Sequence, residues 1–198
     1  MPVERVRERI HRSIDRRLEP VVRVLARLGV RPNQITVAGT LICLTGAGFV
    51  LADRLVLGGA VWLVGSALDL VDGALARHQD KASAGGAFLD STLDRITEGA
   101  LFAALAYHFA QRGDALAAAL TAVALLGALL VSYTRARAEA LGATCKVGIM
   151  TRAERVLLLG LGLCFGLIEP AIYLVAGLSA ISVAQRIHHS LRELAAKP

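Results

Sequence analysis

Four of the five aspartates between residues 69 and 94 of this chain form two closely spaced pairs. Asp69 and Asp72 are three residues apart, and Asp90 and Asp94 are four apart. Residues at these intervals share one face of a helix, so each pair predicts two carboxylates side by side. Two such faces turned toward each other predict an all-oxygen pocket for hard divalent cations such as Mg²⁺ or Mn²⁺.

The residues between these aspartates suit phosphate chemistry. Two divalent ions about 3.5–4 Å apart can clamp the attacking and leaving oxygens of an in-line displacement. Gly73 and Gly86 remove side chains where a ligand or a facing backbone must come close, and Ala76 keeps the same face narrow. Arg77 is a planar, permanently charged donor that matches phosphate oxygens. Together these residues indicate a phosphoryl-transfer centre with two metal ions.

Carboxylates within membrane spans also occur in proton relays and ion pathways. An ion- or proton-relay transporter is therefore the alternative from another functional class. A relay does not need two glycines, an alanine and an arginine at fixed offsets, so the pattern favours the metal-phosphate interpretation.

The elements that must position these residues are strongly apolar. The chain of 198 residues is 55% hydrophobic, with a mean hydropathy of +0.57, whereas soluble domains are nearer 45–50% apolar. Six apolar runs approach the ~20 residues that a bilayer core requires. These runs predict an all-α integral membrane protein with six transmembrane helices, at 34–53, 56–77, 85–111, 115–138, 153–168 and 170–187.

The basic residues predict an orientation. If the N-terminus is cytoplasmic, all of the 22 lysines and arginines except Arg54 and Arg112 fall on the cytoplasmic side. This asymmetry is what the positive-inside rule expects. Both termini and the aspartate pairs are then cytoplasmic. The high alanine and arginine content suggests a GC-rich prokaryote, and therefore its cell membrane.

The N-terminal segment lacks the apolar core of a signal peptide. Its apolar residues recur at helical spacing among arginines, which predicts an amphipathic helix lying on an anionic membrane surface: Val3, Val6, Ile10, Ile14, Leu18, Val21, Val22, Leu25 and Leu28. A basic arm for nucleic acid is disfavoured because the apolar face leads directly into a span. We therefore expect a juxtamembrane segment at 1–33, a catalytic transmembrane domain at 34–198, and no nucleic-acid partner.

Small residues around 85–104 would let helices approach closely and would allow a homodimer.

The complete pattern, D-x2-D-G-x2-A-R-x8-G-x3-D-x3-D, resembles the signature of the CDP-alcohol phosphotransferases, with every fixed position present. The resemblance implies transfer from a CDP-linked donor, usually CDP-diacylglycerol, to an alcohol, with release of CMP. It implies metal binding by Asp69, Asp72 and Asp90, with Asp94 completing the second site and acting as the general base. It also implies a donor-binding set, with a softer match at its last two members: Asp69, Gly73, Ala76, Arg77, Gly86, Asn33 and Thr36.

Four arginines bear on the acceptor. Arg135, Arg152, Arg155 and Arg186 end or begin spans on the predicted cytoplasmic side. Converging guanidinium groups suit a phosphate dianion, but arginines at span ends also serve as anchors, and composition alone favours neither use. The runs at 132–139 and 151–155 are similar to those of phosphatidylinositol-phosphate synthases. That resemblance implies inositol 1-phosphate as acceptor, with these arginines binding its phosphate. Glycerol 3-phosphate, which also carries a phosphate, is the alternative acceptor.

Overall fold

The protein is described by a computed structural model over residues 17–196. This range consists of helices and their connections. The predicted contributions of Val3, Val6, Ile10 and Ile14 to a surface helix lie outside the described residues. The helices are α1 at 17–27, α2 at Pro32–Leu51, α3 at Leu55–His78, α4 at Ala84–Gln111, α5 at Ala115–Ala140, α6 at Arg152–Cys164 and α7 at Ile168–Ala195.

The helix ends follow local chemistry. Pro32 begins α2, where its missing N–H has no helical acceptor to lose. Asp114 caps α5 because its carboxylate accepts from the backbone N–H of Ala117 at 2.9 Å. The N–H of Thr151, which precedes α6, donates to the carboxylate of Glu154 at 2.8 Å. Gly166 (φ 71°) allows the chain to turn between α6 and α7.

Residues 17–42 and 64–94 of the described chain form one compact unit. Its core contains Val22 of α1, Ile35 of α2, and Ala74 and Leu75 of α3. A Cβ on Gly39 would lie 3.0 Å from the carbonyl oxygen of Gly65, so α2 and α3 approach closely there. This unit contains all four predicted metal-site aspartates.

Residues 43–63 and 95–196 form the second compact unit. A Cβ on Gly46 would lie 2.8 Å from the backbone nitrogen of Trp62, which again indicates close helix packing. The second unit contains the four predicted acceptor arginines. Its core is rich in large apolar side chains, including Trp62, Leu101, Phe102, Leu105, Leu159, Leu163 and Ile172.

The predicted all-helical membrane class is confirmed for the described range. Four helices are long and apolar enough to cross a membrane, namely α2, α3, α5 and α7. Of the other two predicted spans, α4 is long but carries Asp90, Asp94, Arg95 and Glu98, and α6 has only 13 residues. At 1.5 Å per residue α6 is about 20 Å long, which is shorter than a bilayer core.

The last two predicted spans differ from the helices in their bounds. The predicted span 153–168 ends as a helix at Cys164, and the predicted span 170–187 continues as α7 to Ala195. The added turns of α7 carry polar side chains that bind the α5–α6 connection. Helix length there is set by these tertiary contacts and not by the apolar run.

Candidate active site

Three of the four aspartates come together in the first unit. Asp69 and Asp72 on α3 and Asp90 on α4 each offer a carboxylate oxygen, and these three oxygens lie within 4.8 Å of one another. Asp72 is buried, whereas Asp69 and Asp90 are half-buried. Like charges this close repel one another. An all-carboxylate donor set of this size fits a hard divalent cation, which would offset that repulsion.

Asp94 is not a member of that group of three. It lies on α4 one turn after Asp90, and it is buried to 9% exposure. The structure thus brings the first three aspartates together and places the fourth on the same helix face as the third.

Thr36 supports the buried carboxylate. Its Oγ1 donates to Oδ2 of Asp72 at 2.6 Å and is also 3.2 Å from the carbonyl oxygen of Pro32. A hydrogen bond of this kind orients a metal-ligating carboxylate and tunes its affinity. The resemblance placed Thr36 with the CDP donor, and the structure places its hydroxyl on a predicted metal ligand.

A cavity of about 230 Å³ opens beside these carboxylates in the same unit. Asp72 and Asp90 line it, together with six of the predicted donor-binding residues: Asn33, Thr36, Gly73, Ala76, Arg77 and Gly86. Asp69 belongs to the carboxylate group but does not line the cavity. The cavity therefore presents carboxylates, small residues and a guanidinium to one space.

Gly86 leaves room where other groups crowd in. A Cβ at this position would lie 3.2 Å from Oγ of Ser83 and 3.4 Å from Oδ1 of Asn33. The backbone N–H of Gly86 donates to that serine oxygen at 3.1 Å. Neighbouring Gly85 has nothing within 4 Å of the same position. The two glycines therefore differ in what a side chain would meet.

Lys81 and Ser83 also line the cavity, and the aspartate motif assigns neither to the site. Both fall within the eight unspecified positions of the motif, in the connection between α3 and α4. The signal in the sequence was a basic residue in the loop that joins the two helices carrying the predicted metal ligands.

The predicted acceptor arginines lie in the second unit, and three of them have polar partners there. Arg155 is 1% exposed and pairs with Glu98. Arg135 is exposed and donates to Glu139 on its own helix at 2.8 Å. Arg186 is buried and donates to the carbonyl oxygens of Val131 and of Val147, the latter at 2.9 Å.

Arg152 is half-buried at the first position of α6 and also takes part in polar interactions. Arg186, on α7, contacts both Val131 of α5 and Val147 of the α5–α6 connection.

The α5–α6 connection is held by one polar stripe of α7. The N–H of Met150 donates to Oγ of Ser182 at 2.8 Å, and the N–H of Thr144 donates to the carboxylate of Glu193 at 2.9 Å. Arg186 lies between them in sequence and binds the middle of the same connection. These contacts position the start of α6, where two of the predicted acceptor arginines lie.

The family model described as CDP-alcohol phosphatidyltransferase matches residues 29–185 of this chain. The chain belongs to that family. The match includes the whole aspartate motif and the first three of the predicted acceptor arginines, and it ends one residue before Arg186. The predicted enzyme class is confirmed: the protein is a transferase of phospholipid biosynthesis.

Within this family, the chain is similar in sequence to two synthases of inositol-phosphate lipids. The chain is 36% identical over 187 residues to an archaetidylinositol phosphate synthase of Pyrococcus horikoshii, covering 94% of this chain and 97% of the relative. It is 38% identical over 186 residues to a phosphatidylinositol phosphate synthase of Corynebacterium glutamicum, covering 86% of this chain and 82% of the relative.

Solved structures agree with the fold. The crystal structure of the Mycobacterium tuberculosis phosphatidylinositol phosphate synthase with CDP-DAG bound is similar with a TM-score of 0.80 at 31% identity. The likeness covers 86% of this chain and 92% of that one. The structure of the same enzyme with manganese and citrate has a TM-score of 0.79, also at 31% identity, and covers 87% of this chain and 88% of that one.

Proposed function

We propose that this phosphatidyltransferase moves a phosphatidyl group from CDP-diacylglycerol to inositol 1-phosphate, with release of CMP. The observation that carries the reaction is the group of three carboxylates beside a cavity, in a chain of this family. The donor is supported by the solved relative that holds CDP-DAG. The acceptor is supported by relatives named as inositol-phosphate lipid synthases and by the arginines of the second unit.

Asp69, Asp72 and Asp90 would hold the divalent metal, with Asp94 completing a second position. Two Mg²⁺ or Mn²⁺ ions are the proposed cofactor, and the solved relative with manganese supports a divalent ion. When bound, such ions supply charge neutralisation for a diphosphate and its departing CMP. Thr36 orients the Asp72 carboxylate for this role through its 2.6 Å hydrogen bond.

The cavity is the proposed site for the cytidine diphosphate. Arg77 and Lys81 bring positive charge to its lining, and Gly73, Ala76 and Gly86 keep room for the ligand. Asn33 contributes an amide that can both donate and accept hydrogen bonds.

Asp94 is the proposed general base. Its carboxylate would take the proton of the acceptor hydroxyl while that oxygen forms a bond to the phosphorus bearing the diacylglycerol. The bond from this phosphorus to the CMP oxygen breaks, and CMP leaves with the electron pair. Arg135, Arg152, Arg155 and Arg186 are the proposed partners of the acceptor's phosphate.

The membrane arrangement completes the proposal. In this proposal the chain crosses a prokaryotic membrane six times, and α4 and α6 cross it packed against the other helices. Both termini and the aspartates then lie on the cytoplasmic side. On α1, Val21 and Val24 are exposed beside Arg23 and Arg27, and Leu28 is exposed directly after the helix, which suits a helix on a lipid surface. The division into a surface segment at 1–33 and a catalytic domain at 34–198 belongs to this proposal, as does a homodimer.

CMP release by the purified protein in detergent, with CDP-diacylglycerol and Mg²⁺, tests the function. Inositol 1-phosphate, glycerol 3-phosphate and free inositol would be offered in separate reactions. Turnover with inositol 1-phosphate alone is the expected result. Turnover with glycerol 3-phosphate alone would reassign the acceptor, and the absence of CMP release with all three would overturn the proposal and favour a transporter.

A further inference from the structure

Arg155 is held along one edge by a buried carboxylate. Its Nε donates to Oε1 of Glu98 at 2.6 Å, and its Nη2 donates to Oε2 at 2.9 Å. Glu98, on α4, is itself 4% exposed. Two parallel hydrogen bonds of this kind fix both the position and the plane of the guanidinium.

The remaining terminal nitrogen is in a different situation. Nη1 of Arg155 is buried and has no hydrogen-bond partner among residues 17–196. The guanidinium is planar and its donors are fixed in direction, so the Nη1 donor points away from Glu98. A buried N–H on a permanently charged group is costly to leave unpaired. A ligand oxygen that accepts from Nη1 would remove that cost.

We propose, resting on the function above in which Arg155 binds the acceptor's phosphate, that Glu98 is a positioning residue for the acceptor. It holds the guanidinium so that Nη1 donates to a phosphate oxygen. Because the pair fixes the donor before binding, little side-chain freedom is lost when the acceptor arrives. Glu98 follows Asp94 by four residues on α4, so it shares the helix face of Asp90 and Asp94.

Steady-state CMP release by Glu98→Gln separates this role from support of the fold. Glutamine keeps the size of the side chain but loses the charge and one of the two accepting oxygens. We expect the KM for inositol 1-phosphate to rise about tenfold or more, as for a lost charged hydrogen bond. The KM for CDP-diacylglycerol and the kcat at saturating acceptor should stay near wild type. Equal rises in both KM values, or a fall in kcat alone, would overturn the positioning role.

Asp53→Asn provides the matched control. Asp53 accepts from Nη1 and Nη2 of Arg112 at 2.7 and 3.1 Å, a second arginine fork in the same unit. This fork holds the pKa of Asp53 below its usual range. Asp53 has φ 60°, which asparagine also tolerates. Both KM values should be unchanged in this variant.

Arg155→Lys carries the test if Glu98→Gln does not fold. Lysine keeps a positive charge for Glu98 but has no rigid fork and no Nη1, so the same selective rise in the acceptor KM is expected. An unchanged acceptor KM would overturn the inference. If wild type uses only glycerol 3-phosphate, the proposed acceptor is wrong, and the selective rise is then sought in the KM of that acceptor.

Discussion

The aspartate cavity of the first unit and the arginine region of the second unit differ in how their charged side chains are partnered. In the first, three carboxylates are gathered within 4.8 Å of one another among small residues. In the second, Arg155, Arg135 and Arg186 are each held by a carboxylate or by backbone carbonyls. A cluster of like charges is stabilised by a counter-ion, so the first region is suited to the proposed divalent cation. In the second region these arginines already have partners, so donors that remain unpaired, such as Nη1 of Arg155, would be available to the proposed acceptor phosphate.

Removing the proposed base should have the largest effect. Asp94→Asn keeps the size of the buried side chain but cannot accept the acceptor's proton. We expect kcat to fall about 10²–10⁴-fold, the usual contribution of general base catalysis. The rate of CMP release measures this, with thermal unfolding as the check on folding. Near-normal turnover would remove Asp94 from the chemistry and leave the aspartate region as a binding site only.

Loosening a carboxylate of the first region should have the next largest effect. Thr36→Val removes the hydroxyl that donates to Asp72 and keeps the shape of the side chain. Loss of such a supporting contact weakens metal affinity about 10–100-fold, which a titration of activity with Mn²⁺ would show.

Thr40→Val is the matched control for that change. Within residues 17–196, the hydroxyl of Thr40 donates to the carbonyl oxygen of Thr36 on its own helix, at 2.9 Å, and makes no hydrogen bond to Asp72. Its metal dependence should equal that of wild type. An equal shift in both variants would mean that α2 packing, not the hydrogen bond to Asp72, sets the affinity.

Filling the cavity should have a smaller and more selective effect. Gly86→Ala would crowd Ser83 and Asn33, so we expect a several-fold rise in the KM for CDP-diacylglycerol with the acceptor KM unchanged. Gly85→Ala meets nothing within 4 Å and should behave as wild type. Kinetics with each substrate varied in turn would distinguish the two. A change in the acceptor KM alone would contradict the assignment of the cavity to the donor.

The smallest effect on turnover is expected from the serines of α7. Ser182→Ala leaves the buried N–H of Met150 without its acceptor and should destabilise the protein by about 1–3 kcal/mol. Ser179 is equally buried, but its hydroxyl has no hydrogen-bond partner within residues 17–196. Ser179→Ala should therefore be neutral or slightly stabilising. The unfolding midpoints of the two variants measure these stabilities. Equal losses of stability in Ser182→Ala and Ser179→Ala would show that the polar stripe on α7 does not hold the α5–α6 connection.

The sequence alone determined the helical membrane class and the family to which the aspartate motif belongs. Both depend on local regularities: apolar runs of bilayer length, and carboxylates at intervals that share a helix face. Asp69, Asp72 and Asp90 could therefore be identified from their spacing, and most of the cavity lining from the family resemblance that the motif carries.

Only the tertiary structure decided which groups these side chains meet. Thr36 is 36 residues from Asp72, and Glu98 is 57 residues from Arg155. No helical period links positions so far apart, because the faces that meet are chosen by packing. The same is true of α7, whose length beyond its apolar run depends on contacts with the α5–α6 connection. The charged residues can therefore be identified from the sequence. Which of their donors and acceptors are already hydrogen-bonded, and which could still bind a ligand, depends on the packing of the helices.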